Sequence, residues 1–254
     1  MSLHIEVTGN GEPLVLLHGW GMHGGIWQDT AMQLAEKFEV HCVDLPGYGE
    51  SLPIAAYTLD SVVECLAAQF DQVITLCGWS LGGQIAMHWA MCEPEKVKRM
   101  VLVTSTPCFA ERVDWEFGMA RATLHQFSVE LEKNYKATLR RFLALQVRGS
   151  EGERELLSEM REKLFIRGEP DMDALRGGLN ILRDADLRDV VRKIKQPTLV
   201  IAGERDKLTL SGASYYLAQK LQNARVAEIK GAAHAPFLSH PKIFNEHLKN
   251  FLYE

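Results

Sequence analysis

The chain of 254 residues has no excess of positive charge: 28 Lys and Arg stand against 33 Asp and Glu, a net charge of -5. A nucleic-acid-binding surface needs a dominant basic face, so nucleic acid is not an expected partner. Nowhere is there the run of about 20 apolar residues that a helix needs to cross a bilayer. The start, Met1-Ser2-Leu3-His4-Ile5-Glu6-Val7, lacks the basic head and apolar core of a secretory signal. The five cysteines, at 42, 65, 77, 92 and 108, show no paired spacing, and their odd number suits reduced thiols. A cytoplasmic protein with no membrane attachment is expected. No repeat period, no Pro/Gly/Ser linker and no exposed apolar heptads are visible, so one domain over residues 1–254 and a monomer are expected. No metal and no organic cofactor are expected either.

What is present is an alternation of short β-branched runs with longer helical patterns, which marks a mainly parallel sheet with helices on both faces. The strand candidates are Leu14 to Leu17, Glu39 to Val43, Val73 to Cys77, Met100 to Thr104, Thr198 to Ala202 and Val226 to Ile229. Several are apolar throughout, as strands buried on both faces must be. Gly9-Asn10-Gly11 marks a turn that would close an N-terminal hairpin on the sheet edge.

One interval, from about residue 108 to 186, breaks the alternation. Leu124, Phe127, Leu131, Leu139 and Phe142 recur there near helical spacing. Ser150-Glu151-Gly152-Glu153 fits a capping box that opens a second helix, and Asp171 fits the start of a third. This reads as an all-helical cap inserted between core segments 1–107 and 187–254.

Val73-Ile74-Thr75-Leu76-Cys77-Gly78-Trp79-Ser80-Leu81-Gly82-Gly83 runs from a buried strand through G-x-S-x-G into a helical pattern. That context is what a nucleophile elbow requires, because small residues on either side let the chain turn sharply beneath the serine. A serine hydroxyl needs a base to take its proton and an acid to hold that base in the right tautomer. In this fold the acid and then the histidine follow the serine in chain order. Asp206 stands on the loop after Thr198 to Ala202, and His234 on the loop after Val226 to Ile229, at strand ends where open α/β sheets bind ligands. Glu204 lies too close to its strand and Asp186 lies in the cap. His240 and His247 fall in or beside the last helix, and His4, His41, His88 and His125 have no comparable loop context. Ser80, Asp206 and His234 are therefore the expected triad.

The developing oxyanion needs backbone N–H donors, each worth about a hundred- to a thousandfold in rate. Leu81 N–H, directly after the serine, and Trp20 N–H in Leu17-His18-Gly19-Trp20-Gly21 are the candidates, with the Trp20 indole lining the pocket and His18 bracing the loop. The same loop spells G-x-G-x-x-G over Gly19 to Gly24, with Asp44 about twenty residues on, as a dinucleotide site would want. That oxidoreductase reading leaves the Ser80, Asp206 and His234 loops unexplained.

Together His18 to Gly21, Asp44-Leu45-Pro46-Gly47-Tyr48-Gly49, Gly78 to Gly83, Ser105-Thr106-Pro107-Cys108-Phe109, Arg141 to Gln146 and Ala232-Ala233-His234-Ala235-Pro236-Phe237 resemble the BioH-type carboxylesterases of biotin synthesis. Those enzymes have the α/β-hydrolase fold and hydrolyse the methyl ester of pimeloyl-acyl-carrier protein. The resemblance implies that Trp20, Ser80, Leu81, Phe142, Leu143, Ala144, Leu145, Gln146 and His234 contact substrate. It also implies that basic cap residues grip an acidic carrier protein. Lys133, Lys136 and Arg140 fall at i, i+3, i+7, with Arg141 beside them and Arg148 and Arg154 nearby; the alternative is a solvated face paired to Glu130 and Glu132. A general short-chain esterase and a non-catalytic receptor on the same scaffold are the remaining readings.

Overall fold

The computed structural model describes residues 2–254. In chain order its elements begin with β1 (Ile5–Thr8), β2 (Glu12–Leu17), α1 (Gln28–Leu34), β3 (Phe38–Val43), α2 (Leu59–Ala67), β4 (Ile74–Trp79), α3 (Leu81–Cys92) and β5 (Val97–Val103). Then come α4 (Arg121–Val147), α5 (Glu153–Lys163), α6 (Met172–Asp184), β6 (Thr198–Gly203), α7 (Ser211–Lys220), β7 (Ala224–Ile229), α8 (Pro236–Ser239) and α9 (Pro241–Leu252). All six expected strands are present. With β1 they form a seven-stranded sheet in the order β1-β3-β2-β4-β5-β6-β7, parallel except for β1.

β4 and β6 are buried at every residue and β2 over Leu14 to Leu17, so their backbones must be paired on both sides. This overturns the expected N-terminal hairpin. β2 pairs with β3 and β4, and β1 crosses to the outer edge of β3, antiparallel, with Ile5 opposite Val43 and Thr8 opposite Val40. Gly9 and Gly11 do turn the chain, at φ of 83° and 128°. The strand they lead into is too apolar to lie at an edge beside β1, which is mostly exposed.

Helices α4, α5 and α6 fill the interval between β5 and β6, whose ends meet at a bridge between Cys108 and Asp186 and at Leu187 N–H to Pro107 O, 2.7 Å. α4 buries Leu124, Phe127, Leu131, Leu139 and Phe142, the residues whose spacing predicts it. It is broken at Asn134 (φ -160°, ψ 84°), whose side chain accepts the Ala137 N–H at 3.0 Å and so starts the helix afresh. Lys133 therefore lies before the break, and does not share one continuous helix face with Lys136 and Arg140. Asp171 caps α6 as expected, accepting from Asp173 and Ala174 N–H.

Ser150 does not cap α5. The residue before that helix is Gly152, at φ 67°, and no side chain among the described residues caps that end. Glu153 turns back to the Gly149 N–H at 2.8 Å, and Ser150 Oγ accepts from Ala233 N–H, 2.9 Å away in the chain's last loop region. Among the described residues no helix is long and apolar enough to cross a membrane.

Candidate active site

At the carboxyl end of β4 the chain reverses into α3 within one residue. Ser80 sits at φ 55° and ψ -115°. Only glycine fits around it: a Cβ on Gly78 would lie 2.3 Å from the Gly82 carbonyl oxygen, and one on Gly82 would lie 2.4 Å from that of Leu17. Ser80 N–H donates to Val103 O at 3.0 Å, and Ser105 Oγ donates to Ser80 O at 2.8 Å. These bonds hold a backbone conformation that costs a serine on the order of 1–3 kcal/mol. Thr104, on the neighbouring strand end, is the other non-glycine residue with positive φ among the described residues. Leu81 opens α3, so its N–H has no acceptor within the helix and lies at the positive end of the helix dipole.

The loops after β6 and β7 bring Asp206 and His234 together. His234 Nδ1 and Asp206 Oδ2 are 2.8 Å apart, and both side chains are fully buried. Asp206 Oδ1 accepts from the N–H groups of Leu208 (2.8 Å) and Thr209 (3.1 Å), and Thr209 Oγ1 lies 2.7 Å from Oδ2. An ionised carboxylate only accepts, so the proton in the His–Asp contact sits on Nδ1. That leaves Nε2 bare in the neutral ring. It is buried and has no hydrogen-bond partner among the described residues. Two donors, Trp79 Nε1 and Thr104 Oγ1, meet the His234 carbonyl oxygen, each at 2.7 Å. The indole that precedes Ser80 thus touches the histidine's backbone, and the two rings are 5.8 Å apart.

Trp20 is fully buried after β2; its Nε1 donates to Leu175 O at 2.9 Å, and its ring meets Phe142 edge-on at 4.9 Å. Gly19, before it, packs on the elbow: a Cβ there would lie 3.3 Å from that of Ser80. In the last turns of α4, Phe142, Leu143 and Gln146 are buried, with Ala144 and Leu145 half-buried at the margin. Gln146 Oε1 is buried without a partner among the described residues, and the Gln146 carbonyl accepts the His234 N–H at 3.0 Å.

The remaining candidates are engaged elsewhere. Glu204 Oε2 accepts the Gly231 N–H at 2.9 Å, and Asp186 pairs with Arg188 and Arg112. Asp44 accepts from Gly24 N–H (2.6 Å), Glu50 N–H (3.0 Å) and Arg167 (3.1 Å), and its side chain is fully buried, out of reach of a ribose. His18 braces its loop, donating from Nδ1 to Gly19 O at 2.8 Å and accepting Leu45 N–H at Nε2 at 3.0 Å. Burial drives its pKa down to about 4 and keeps it neutral. Outside this site, Asp60, His88 and Cys92 hold one potential ligand atom each within 4.8 Å of one another between α2 and α3, with His88 Nε2 2.6 Å from Asp60.

Of the basic residues in the insertion, Lys136 is paired with Glu169, and Arg141 with Glu130 while lying 5.1 Å above the Phe127 ring. Arg140, Arg148 and Arg154 are exposed. Glu132, which the solvated-face alternative pairs along α4, reaches Arg176 of α6 instead.

The sequence reading passes over Thr209 and Thr104, takes Trp79 only as part of the elbow and takes Ser150 as a helix cap. The Asp206-x-x-Thr209 spacing is the signature of a side chain that bonds the backbone two and three residues on, and it was legible. For Thr104 and Ser150, whose partners lie 130 and 83 positions away, the sequence carries no signal.

A family model for the alpha/beta hydrolase fold matches residues 12–241. A pimeloyl-acyl-carrier protein methyl ester esterase of Nitrosomonas europaea is 46% identical over 244 residues, 96% of this chain and 96% of that one. Another, of Nitrosospira multiformis, is 41% identical over 258 residues, 99% and 98% of the two chains. An esterase structure from Exiguobacterium antarcticum superposes with a TM-score of 0.90 at 22% identity, covering 99% of this chain and 96% of that one, a likeness of fold. The chain belongs to the α/β-hydrolases and, among them, to the family of carboxylic ester hydrolases named pimeloyl-acyl-carrier protein methyl ester esterases.

Proposed function

We propose that this chain hydrolyses the methyl ester of pimeloyl-acyl-carrier protein to the free acid and methanol, a step of biotin synthesis, with Ser80, Asp206 and His234 as its catalytic residues. The buried Asp206–His234 bond with Nε2 left bare supports the chemistry. The near full-length likeness to the esterases supports the substrate. Ser80 Oγ attacks the ester carbonyl as His234 Nε2 takes its proton, and Asp206 stabilises the imidazolium. The N–H groups of Leu81 and Trp20 receive the oxyanion. The tetrahedral intermediate collapses as methoxide leaves, taking the proton from His234 to become methanol. Water, deprotonated by His234, then attacks the acyl-serine and releases the pimeloyl acid on its carrier, with the proton returning to Ser80.

The side chains of Trp20, Phe142, Leu143, Ala144, Leu145 and Gln146 line the acyl chain in this reading, under a helical cap spanning about residues 108–186 on a single domain. The acyl-carrier protein docks through Arg140, Arg148 and Arg154, with Lys136 and Arg141 exchanging their internal partners for it. The enzyme acts as a cytoplasmic monomer and needs no cofactor.

Rescue of a biotin auxotroph by the wild-type gene, and not by Ser80→Ala, tests the whole reading. Assay of purified protein on carrier-bound pimeloyl methyl ester, against short free esters, tests the substrate. Equal kcat/KM on both would leave a general carboxylesterase.

A further inference from the structure

The junction between α4 and α5 grips the loop that carries His234. Ser150 Oγ accepts the Ala233 N–H at 2.9 Å, and the Gln146 carbonyl accepts the His234 N–H at 3.0 Å. Glu151 N–H reaches Gly231 O at 3.4 Å, and Arg205 Nη1, beside Asp206, donates to Gly149 O at 3.1 Å. The core holds His234 differently, by its carbonyl oxygen, through Trp79 and Thr104. So the core fixes the carbonyl of this residue and the helical insertion fixes its N–H.

We propose that Ser150 is a positioning residue for His234, and that with the Gln146 carbonyl it makes alignment of the base conditional on the insertion being seated. The proposal rests on the reading of His234 as the base. Ser80 retains only 5% exposure and His234 none, so a carrier-bound ester enters only if something above them moves. α4 is the element that connects the two events. Phe142, one turn before Gln146, packs on Trp20 at 4.9 Å, so the face beside the acyl site and the end that holds the base are parts of one helix. An acyl group that keeps this face from seating withdraws the acceptors of both Ala233 and His234. Those N–H groups then lose their buried partners and the loop loses its alignment. Discrimination among esters therefore falls on turnover more than on binding.

The test compares Ser150→Ala, Ser150→Thr and Ser150→Val in the full chain, because threonine and valine have the same shape and only threonine keeps the acceptor. On carrier-bound pimeloyl methyl ester, Ser150→Ala and Ser150→Val should lower kcat about tenfold, the effect of one neutral hydrogen bond, with KM changed less than twofold. Ser150→Thr should recover most of the loss, and labelling of Ser80 by a fluorophosphonate should slow in the same order. Thermal unfolding of each variant shows that it is folded at the assay temperature. Threonine and valine behaving alike, or an unchanged kcat in Ser150→Ala, would overturn the proposal. A wild-type enzyme that the fluorophosphonate does not label, or an active Ser80→Ala, would instead overturn the reading of the site.

Discussion

His234 Nδ1 and Asp206 Oδ2 lie 2.8 Å apart with neither side chain exposed to solvent, and the same Asp206 oxygen lies 2.7 Å from Thr209 Oγ1. The carboxylate thus has two tasks. It sets the imidazole tautomer, and through Oδ1 it folds its own loop by accepting two backbone N–H groups.

Asp206→Asn separates these tasks. An amide oxygen still accepts from Leu208 and Thr209 N–H, which keeps the loop. The amide nitrogen then faces His234 and favours the tautomer with Nδ1 bare and Nε2 protonated. In that tautomer the ring cannot accept the serine proton. The expected loss in kcat is about ten-thousandfold with the fold retained. Steady-state kinetics beside circular dichroism checks both halves.

Thr209→Val tests the third member of this cluster. Thr209 Oγ1 touches Asp206 Oδ2, Thr104 O at 2.9 Å and His234 Nδ1 at 3.3 Å, and the residue is buried. Valine keeps the shape and removes the hydroxyl, leaving the carboxylate with one donor fewer. Such a bond to a charged group is worth about 1.5–3 kcal/mol. A fall in kcat of ten- to a hundredfold on a short ester, at little change in KM, is expected. Stopped-flow release of the alcohol measures it.

The buried His18 predicts a loss of stability on the acid side. Its folded pKa is depressed from 6.5 to about 4, chiefly by burial, with His23 and Arg167 acting the same way and Asp44 opposing. Between those two values the unfolded chain binds a proton that the folded chain does not. Stability is therefore complete above about pH 6.5 and is lost as pH falls towards 4. The full effect is on the order of 3 kcal/mol. His23, also depressed mainly by burial, adds in the same direction. Urea unfolding at a series of pH values should show this slope, and His18→Asn, with no proton to take up, should flatten it.

Charge reversal in the insertion should act on the carrier-bound substrate alone. Arg140→Glu and Arg148→Glu should each raise KM for the carrier ester several-fold and leave kcat/KM on a short free ester unchanged. The effect should shrink as ionic strength rises and screens exposed charges. Lys136→Glu should do less to docking, because Glu169 already neutralises that lysine, and more to stability through repulsion from Glu169. Paired assays on the two substrates at low and high salt decide this.

Much of the fold was legible because its signals are local. Continuous apolar runs mark β2, β4 and β6, since a strand buried on both faces has no polar side to show. The spacing of Leu124 to Phe142 marks α4, and Asp171 marks the start of α6 through bonds to its own next residues. Ser80 was legible for a similar reason: the sharp turn needs glycine at 78 and 82, where a Cβ would meet backbone. Fold grammar and chain order single out Asp206 and His234, and the structure brings these two into contact.

The amino-acid sequence by itself determined which segments become strands and helices and which loops carry Ser80, Asp206 and His234. Periodicity, turn chemistry and helix caps act within a few residues, and those are printed in the chain. Only the tertiary structure decided that β1 joins β3 and not β2, and that a break at Asn134 divides the basic face of α4. It alone decided that Ser150 serves the His234 loop in place of its own helix. The first and last of these outcomes turn on which groups are buried beside which, between positions far apart in sequence, whereas the Asn134 break is exposed and local. A buried N–H must find an acceptor wherever the fold brings one, and that partner is chosen by packing.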